Sequence, residues 1–282
     1  MSTGIIALLA TTPVSLATPH PSASTVVPTS SVVPAMGAPP ELFALPVGAE
    51  MTGYRDTHAF TAKRLSTRPA AFLLSQFLTE VECAAVVEEA TASGALHEAA
   101  TNGRTSARKH CEITTIGMDS PMVRSITNEA ARLLLTNEAT SRPGSGCEDL
   151  HVLRYRPGGE YKPHYDASPS LPRALTILYY VNGEGATWFP FADEDSFDGG
   201  RAFDSRDAMT AHVAGLDPSS DGLRVEPTAP GDALAFYNFD ASGAPDPYTL
   251  HAGLEVDEGR IKWIGAHFFI VPPYSLSREE GQ

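Results

Sequence analysis

The 282-residue chain predicts an α+β fold with a mainly β core, its helices packed on one side of a sandwich or barrel. Two patterns carry this. As far as Leu134, apolar residues recur at the three-and-four spacing of helix faces. From Leu150 onward they form short runs rich in β-branched and aromatic residues, cut by Pro-Gly and Asn-Gly turns. A third observation places chemistry in the β half: His164 and Asp166 form an H-x-D pair. On a strand, residues i and i+2 face the same way, about 7 Å apart along the backbone.

Taken in order, residues 1–40 contain no Asp, Glu, Lys or Arg and are dominated by Ala, Ser, Thr, Pro and Val. Such a composition cannot build a core, so 1–50 is read as a low-complexity, disordered segment. The folded domain is expected over 69–275. Phe72–Leu74 reads as a strand, and Phe77-Leu78 as its exit. Thr79 then caps a helix, with Glu82 as its capping-box partner, and that helix ends near Ser93-Gly94. A second helix starts at Asp119 or Ser120 with Pro121 in its first turn, and buries Val123, Ile126, Ala130, Leu133 and Leu134.

Val152–Tyr155 is expected as a strand, turned by Pro157-Gly158-Gly159, after which Tyr161–Asp166 runs toward the H-x-D pair. Ala174–Val181, Thr187–Phe189, Leu223–Val225, Ala233–Tyr237 and Trp263–Val271 read as further strands. Residues 193–222 are acidic, Gly-rich and without period, a long loop of the kind that is either functional or disordered.

Composition excludes some functions. Apolar content of 42% allows a sizeable core, and a net charge of −14 argues against nucleic acid as a partner. No apolar run reaches the roughly 18 residues of a membrane span. Ile5–Ala10 is an apolar patch without a preceding positive charge, a poorly formed secretory signal, and the segment lacks the arginines of an organellar transit peptide. Compartment therefore stays open between the secretory pathway, an organelle and the cytoplasm, and the sequence does not give the oligomeric state. Cys83, Cys111 and Cys147 fit no C-x-x-C spacing and read as buried or free thiols, with a disulfide conceivable only in an oxidising compartment.

An isolated H-x-D pair is weak, and its bland reading is a surface His beside an Asp. Further features join it: His251 in T-L-H-A-G, the basic Arg260 and Lys262 at 9 and 11 residues beyond it, and Thr187 on an intervening strand. Two His and one carboxylate with open positions suit non-haem Fe(II) that binds an oxygen-donor co-substrate and O2. A buried cation is costly unless paired, and an anionic co-substrate would supply the partner.

Several ordered segments resemble the prolyl 4-hydroxylase family of Fe(II)/2-oxoglutarate dioxygenases. They are F-L-L-S-Q-F-L-T-E-V-E-C (Phe72–Cys83), Arg104-Thr105-Ser106, L-R-Y-R-P-G-G-E-Y-K-P-H-Y-D (Leu153–Asp166) and R-A-L-T-I-L-Y-Y-V-N (Arg173–Asn182). T-W-F-P (Thr187–Pro190), P-G-D-A-L-A-F-Y-N (Pro230–Asn238), Y-T-L-H-A-G (Tyr248–Gly253) and G-R-I-K-W (Gly259–Trp263) continue the series. The resemblance implies a double-stranded β-helix (jelly roll) flanked by N-terminal helices, with the iron and co-substrate core in 150–272. It implies His164, Asp166 and His251 as iron ligands, Lys262 as partner of the distal carboxylate of 2-oxoglutarate, and Tyr155 and Thr187 as further co-substrate contacts. The activity implied is hydroxylation coupled to decarboxylation of 2-oxoglutarate with O2, with ascorbate as reductant, and the implied substrate is a prolyl residue in a peptide.

The chain departs from the family pattern in three places. Lys262 stands one residue later than usual, and Arg260 is a rival for its role. The family's later tryptophan is replaced near Phe268. Only nine residues separate Asp166 from Thr176, where peptide-binding members carry a longer loop. A small-molecule hydroxylase of the same chemistry therefore stays open, as does a non-catalytic metal-binding jelly roll. The retained Asp166 speaks against halogenation, which leaves that position free for halide. Arg173 is read as a salt-bridge partner or a substrate contact. His110, His151, His212 and His267 have no motif support and are read as structural or exposed.

Overall fold

A computed structural model describes residues 37–272, apart from 93, 100–106, 169, 201–202 and 204. Most of the N-terminal low-complexity segment, and Arg104-Thr105-Ser106, lie outside the described residues. The described fold begins well before Pro69. A short helix α1 (Pro40–Phe43) precedes a hairpin of β1 (Glu50–Arg55) and β2 (His58–Ser66), which pairs on to β3 (Ala71–Ser75). Burial alternates along β2, with Phe60, Ala62, Arg64 and Ser66 buried, a period-2 signal that the buried arginine and serine obscured.

The helix α2 (Glu80–Ala92) starts as its sequence predicts. Glu82 N donates to Thr79 Oγ1 (3.2 Å) and Thr79 N donates to Glu82 Oε2 (2.8 Å), a complete capping box. Next come β4 (His97–Glu98) and β5 (Arg108–Ile116), neither read from sequence, then α3 (Pro121–Leu134), with the Ser120 hydroxyl accepting from Val123 N. The chain continues through α4 (Asn137–Thr140), β6 (Gly146–Cys147), β7 (Leu150–His164), β8 (Arg173–Tyr180), β9 (Thr187–Phe189), α5 (Arg206–Val213) and β10 (Leu223–Val225). It ends with β11 (Ala233–Tyr237), β12 (His251–Gly253) and β13 (Lys262–Ile270).

All pairings are antiparallel and follow the order β1-β2-β3-β11-β8-β13-β7-β12-β9-β10, with β5 also on β7. The path folds over at β7, giving a large sheet from β1 to the first half of β7 and a small one from its second half to β10. This two-sheet roll is the jelly roll with flanking helices that the sequence led us to expect. Residues alternate between two cores. Leu175, Ile177 and Tyr179 of β8 pack with Val86, Val123 and Ile126 of the helices. Tyr180 of β8 joins Leu234, Phe236, Leu153 and Ile264 in the roll's interior. Because both faces of β8 are covered, its run reads as continuously apolar rather than alternating.

β7 is one 15-residue strand, so Pro157-Gly158-Gly159 is not the turn that its composition suggests. It is a bulge. Cys111 pairs with Tyr155 and Lys109 with Glu160, leaving extra residues on β7 that Gly158 accommodates at φ +71°. Gly158 N donates to Val256 O and Val256 N to Gly159 O, which pins the jog.

Residues 193–222 also differ from expectation. They hold α5, and their Phe197 and Val213 pack with Phe191, Trp188 and Ala252 in an apolar cluster. Trp188 and Ala252 point away from the roll's interior, so this insert roofs the outer face of the small sheet. Its signal was lost in sequence because a few large apolar residues are spaced among many acids and glycines. No helix among the described residues is long and apolar enough to cross a membrane.

Candidate active site

The roll holds a cavity that opens to solvent. The six residues singled out from sequence, Tyr155, His164, Asp166, Thr187, His251 and Lys262, all line it. His164 and His251 are direct cross-strand partners on β7 and β12. Asp166 lies just past the end of β7, with Oδ1 3.5 Å from His164 Nε2 and Oδ2 3.6 Å from His251 Nε2. Ligand atoms of the three lie within 4.8 Å of one another, and no other group of three such residues meets that condition among the described residues.

Strand parity alone would not bring these groups together. Tyr161 and His164 are an odd number of residues apart, yet both face the cavity, their rings stacked with centroids 3.6 Å apart. Between them the β7–β12 register slips: Gly253 pairs with Tyr161 and His251 with His164. The extra residue falls at Lys162-Pro163, where proline has no N–H to lose from the ladder. The bulge re-aims His164 inward and frees the Lys162 carbonyl, which accepts from His164 Nδ1 at 2.9 Å. His251 does the same with Thr249 O at 2.9 Å. Each imidazole thus donates through Nδ1 and presents the Nε2 lone pair to the centre, the arrangement a metal-ligating histidine needs.

Burial would raise the Asp166 carboxyl, but His251, His164 and the Thr176 hydroxyl outweigh it and hold it well below the usual carboxylate range. Burial and the neighbouring His164 push His251 down to about 4, so it is neutral at ordinary pH. One carboxylate and two imidazoles that each turn Nε2 to the centre form a donor set that fits Fe(II).

Lys262 forms the other pole. It is 3% exposed, is the cross-strand partner of Tyr155, and its Nζ donates to Ala186 O at 3.0 Å. Burial pushes its ammonium down to about 8. No carboxylate among the described residues pairs with it, so a buried cation faces the cavity without a counter-charge. An anion such as the distal carboxylate of 2-oxoglutarate fits that need. Gly185, at φ +88°, makes the space: a Cβ there would collide with Lys262 Cδ.

Arg260 is placed quite differently. β13 begins only at Lys262, so Arg260 lies in the preceding turn, exposed and paired with Glu184 at 2.7 Å. Tyr155 is buried with its ring 5.6 Å from Lys262 Nζ, and burial raises its phenol well above the ordinary value. The Thr187 hydroxyl accepts from Tyr180 OH at 2.9 Å and keeps its own proton for a cavity ligand.

Further residues shape the cavity. The Arg173 guanidinium grips Glu148 (2.5 and 2.6 Å) and lies 3.8 Å from the Phe268 ring centroid, on the cavity wall. The ion pair read for Arg173 is present, and the same side chain lines the cavity. His151, read as structural, pairs with Glu148 and also lines the cavity. Tyr165 and Leu171 stand exposed at the mouth. The short 167–172 segment closes in a bridge between Ser168 and Leu171. The three cysteines are free, and burial raises the Cys111 thiol, beneath Tyr155, to about 11.

Residues 150–270 match the family described as the 2OG-Fe(II) oxygenase superfamily. Over 235 residues the chain is 32% identical to probable prolyl 4-hydroxylase 4 of Arabidopsis thaliana, covering 75% of this chain and 73% of that protein. Over 226 residues it is 29% identical to prolyl 4-hydroxylase 2 of the same plant, covering 73% and 71%. A viral collagen prolyl hydroxylase from Paramecium Bursaria Chlorella virus-1, solved as a 2OG complex, shares the fold at a TM-score of 0.50 and 21% identity, over 71% of this chain and 96% of that one.

Proposed function

The chain belongs to the 2OG-Fe(II) oxygenase superfamily as a prolyl 4-hydroxylase-like 2-oxoglutarate-dependent dioxygenase, and on that premise we propose that it hydroxylates a prolyl residue in a peptide, with His164, Asp166 and His251 holding the metal and Lys262 the co-substrate. The observation that carries the site assignment is the pairing of two poles in one cavity. A two-imidazole and carboxylate cluster lies at one end and an uncompensated buried ammonium at the other.

When bound, iron(II) and 2-oxoglutarate supply the oxidising chemistry that consumes O2, releases succinate and CO2, and delivers a hydroxyl to carbon. The chain's residues position and seal. Lys262 neutralises the distal carboxylate, and Tyr155 and Thr187 offer it hydroxyl protons, so the co-substrate enters in one direction. Leu153, Ile264 and Ala266 wall the cavity with hydrocarbon and limit water around the reacting groups. The substrate reaches the metal pole through the mouth at Tyr165 and Leu171. The insert of residues 193–222 packs on the outer face of the small sheet. Ascorbate as reductant rests on the family resemblance.

Proline-containing peptides of varied flanking sequence are assayed beside free amino acids and other small molecules, with Fe(II), 2-oxoglutarate and O2, with and without ascorbate. Succinate should form in step with hydroxyproline on a peptide and be lost in His164→Ala. Turnover of small molecules only would overturn the peptidyl substrate while leaving the chemistry. Wild-type turnover by His164→Ala would overturn the metal assignment.

A further inference from the structure

Behind Asp166 lies a short polar chain in an otherwise apolar part of the roll. Asp166 Oδ2 accepts from Thr176 Oγ1 at 3.0 Å, and Thr176 Oγ1 accepts from Asn238 Nδ2 at 2.8 Å. Thr176 and Asn238 are 0% and 1% exposed. Thr176 sits between Phe236 of β11 and Phe268 of β13, on the interior face of β8. Asn238 follows β11 with both backbone groups engaged: its N donates to Ala174 O (2.8 Å) and its O accepts from Asp246 N (2.9 Å).

The direction of these bonds is forced. An ionised Asp166 can only accept, so the single hydroxyl proton of Thr176 goes to it. Thr176 Oγ1 then needs a donor, which only the Nδ2 end of the Asn238 amide can be. That orientation leaves Asn238 Oδ1 buried with no hydrogen-bond partner in the protein. A buried acceptor left unmatched works against stability, so a purely structural role does not account for the amide.

We propose that Asn238 and Thr176 form a positioning relay for the Asp166 carboxylate. The bond at Oδ2 fixes the rotation of the carboxylate, with Oδ1 3.5 Å from His164 Nε2 and Oδ2 3.6 Å from His251 Nε2. A carboxylate held this way stays turned toward both imidazoles, so the three ligand side chains converge before a metal arrives. Arg173 Nη1, 3.4 Å from the Asp166 carbonyl oxygen, lies against the backbone of the same residue.

The relay rests on the metal reading above, so the test separates the two. The full chain is titrated anaerobically with Co(II), whose visible bands report coordination number, and unfolding midpoints are measured without metal. Thr176→Val, close in shape but without the hydroxyl, should bind Co(II) roughly 10- to 100-fold more weakly and with an altered band pattern, while Thr176→Ser restores both. Asn238→Leu should weaken binding by itself but add nothing in the Thr176→Val background, because the two act through one bond; it also supplies the readout should Thr176→Val not fold. Equal, additive effects of the two substitutions would overturn the relay. So would lowered midpoints at wild-type Co(II) affinity and spectrum. His164→Ala is the control: if it loses Co(II) while Thr176→Val binds as wild type, the relay alone fails. If His164→Ala itself binds as wild type, the metal reading fails and the relay with it.

Discussion

Replacing Lys262 with Met should stabilise the co-substrate-free protein while crippling co-substrate binding. Burial takes the Lys262 ammonium from 10.5 down to about 8. At about 1.4 kcal/mol per tenfold, keeping it charged costs about 3 kcal/mol of folding free energy below pH 8. Methionine fills similar volume without charge, and Ala186 O keeps its other donor, Leu254 N at 3.0 Å. Lys262→Met should therefore gain up to about 3 kcal/mol in denaturant unfolding at pH 7. The sign of the pH dependence follows. The unfolded state binds more protons between about pH 8 and 10.5, so wild-type stability should rise through that window relative to the variant, and the gap should close. Affinity for 2-oxoglutarate, measured with Mn(II) in place of iron, should fall by at least about 30-fold, the loss expected for one partner of a buried charge pair. Arg260→Ala, at an exposed pair, should change stability by less than about 1 kcal/mol and leave that affinity alone. A variant less stable than wild type at pH 7, or an Arg260→Ala that loses 2-oxoglutarate as Lys262→Met does, would refute this reasoning.

Two further outcomes are expected. Gly185→Ala, at φ +88° and against Lys262 Cδ, should destabilise by about 1–3 kcal/mol and raise the KM for 2-oxoglutarate more than that for the prime substrate. Phe191→Ala, which removes a fully buried ring stacked on Phe197 with centroids 4.0 Å apart, should lose about 3–5 kcal/mol of stability with the KM for 2-oxoglutarate unchanged in the folded fraction, since the insert roofs the sheet rather than the site.

Much of the fold was legible because local signals and tertiary demands coincide. The capping box at Thr79 and Glu82, the Ser120 cap and the doubly buried β8 are stated in sequence by local patterns that the tertiary fold keeps. The early hairpin β1–β2 was not legible, because Arg55, Arg64 and Ser66 stand at its buried positions and break the apolar alternation. Strand β5 was missed because polar residues crowd it: it carries Arg108, Lys109, His110 and Glu112 among its first residues. The site divides similarly. The ordered motifs name its first layer of residues, but nothing in spacing tells that Arg260 falls in a turn while Lys262 opens a strand. Thr176 and Asn238 are invisible for a different reason. They lie 62 residues apart, and only the β11–β8 pairing makes them neighbours.

The bulged strand β7 has a consequence for how the protein can vary. Tyr155 at one pole and His164 at the other hang from a single rod of backbone, so the spacing between them is fixed by residue count and not by how separate pieces dock. Adding or deleting one residue between Arg156 and Pro163 would invert the side-chain phase of everything downstream and turn His164 out of the roll. The segments on either side, 167–172 at the mouth and the acidic insert on the outer sheet, carry no such ruler. Length changes there leave both poles in place, so the recognition surfaces of this chain are free to diversify while the reaction centre stays in register.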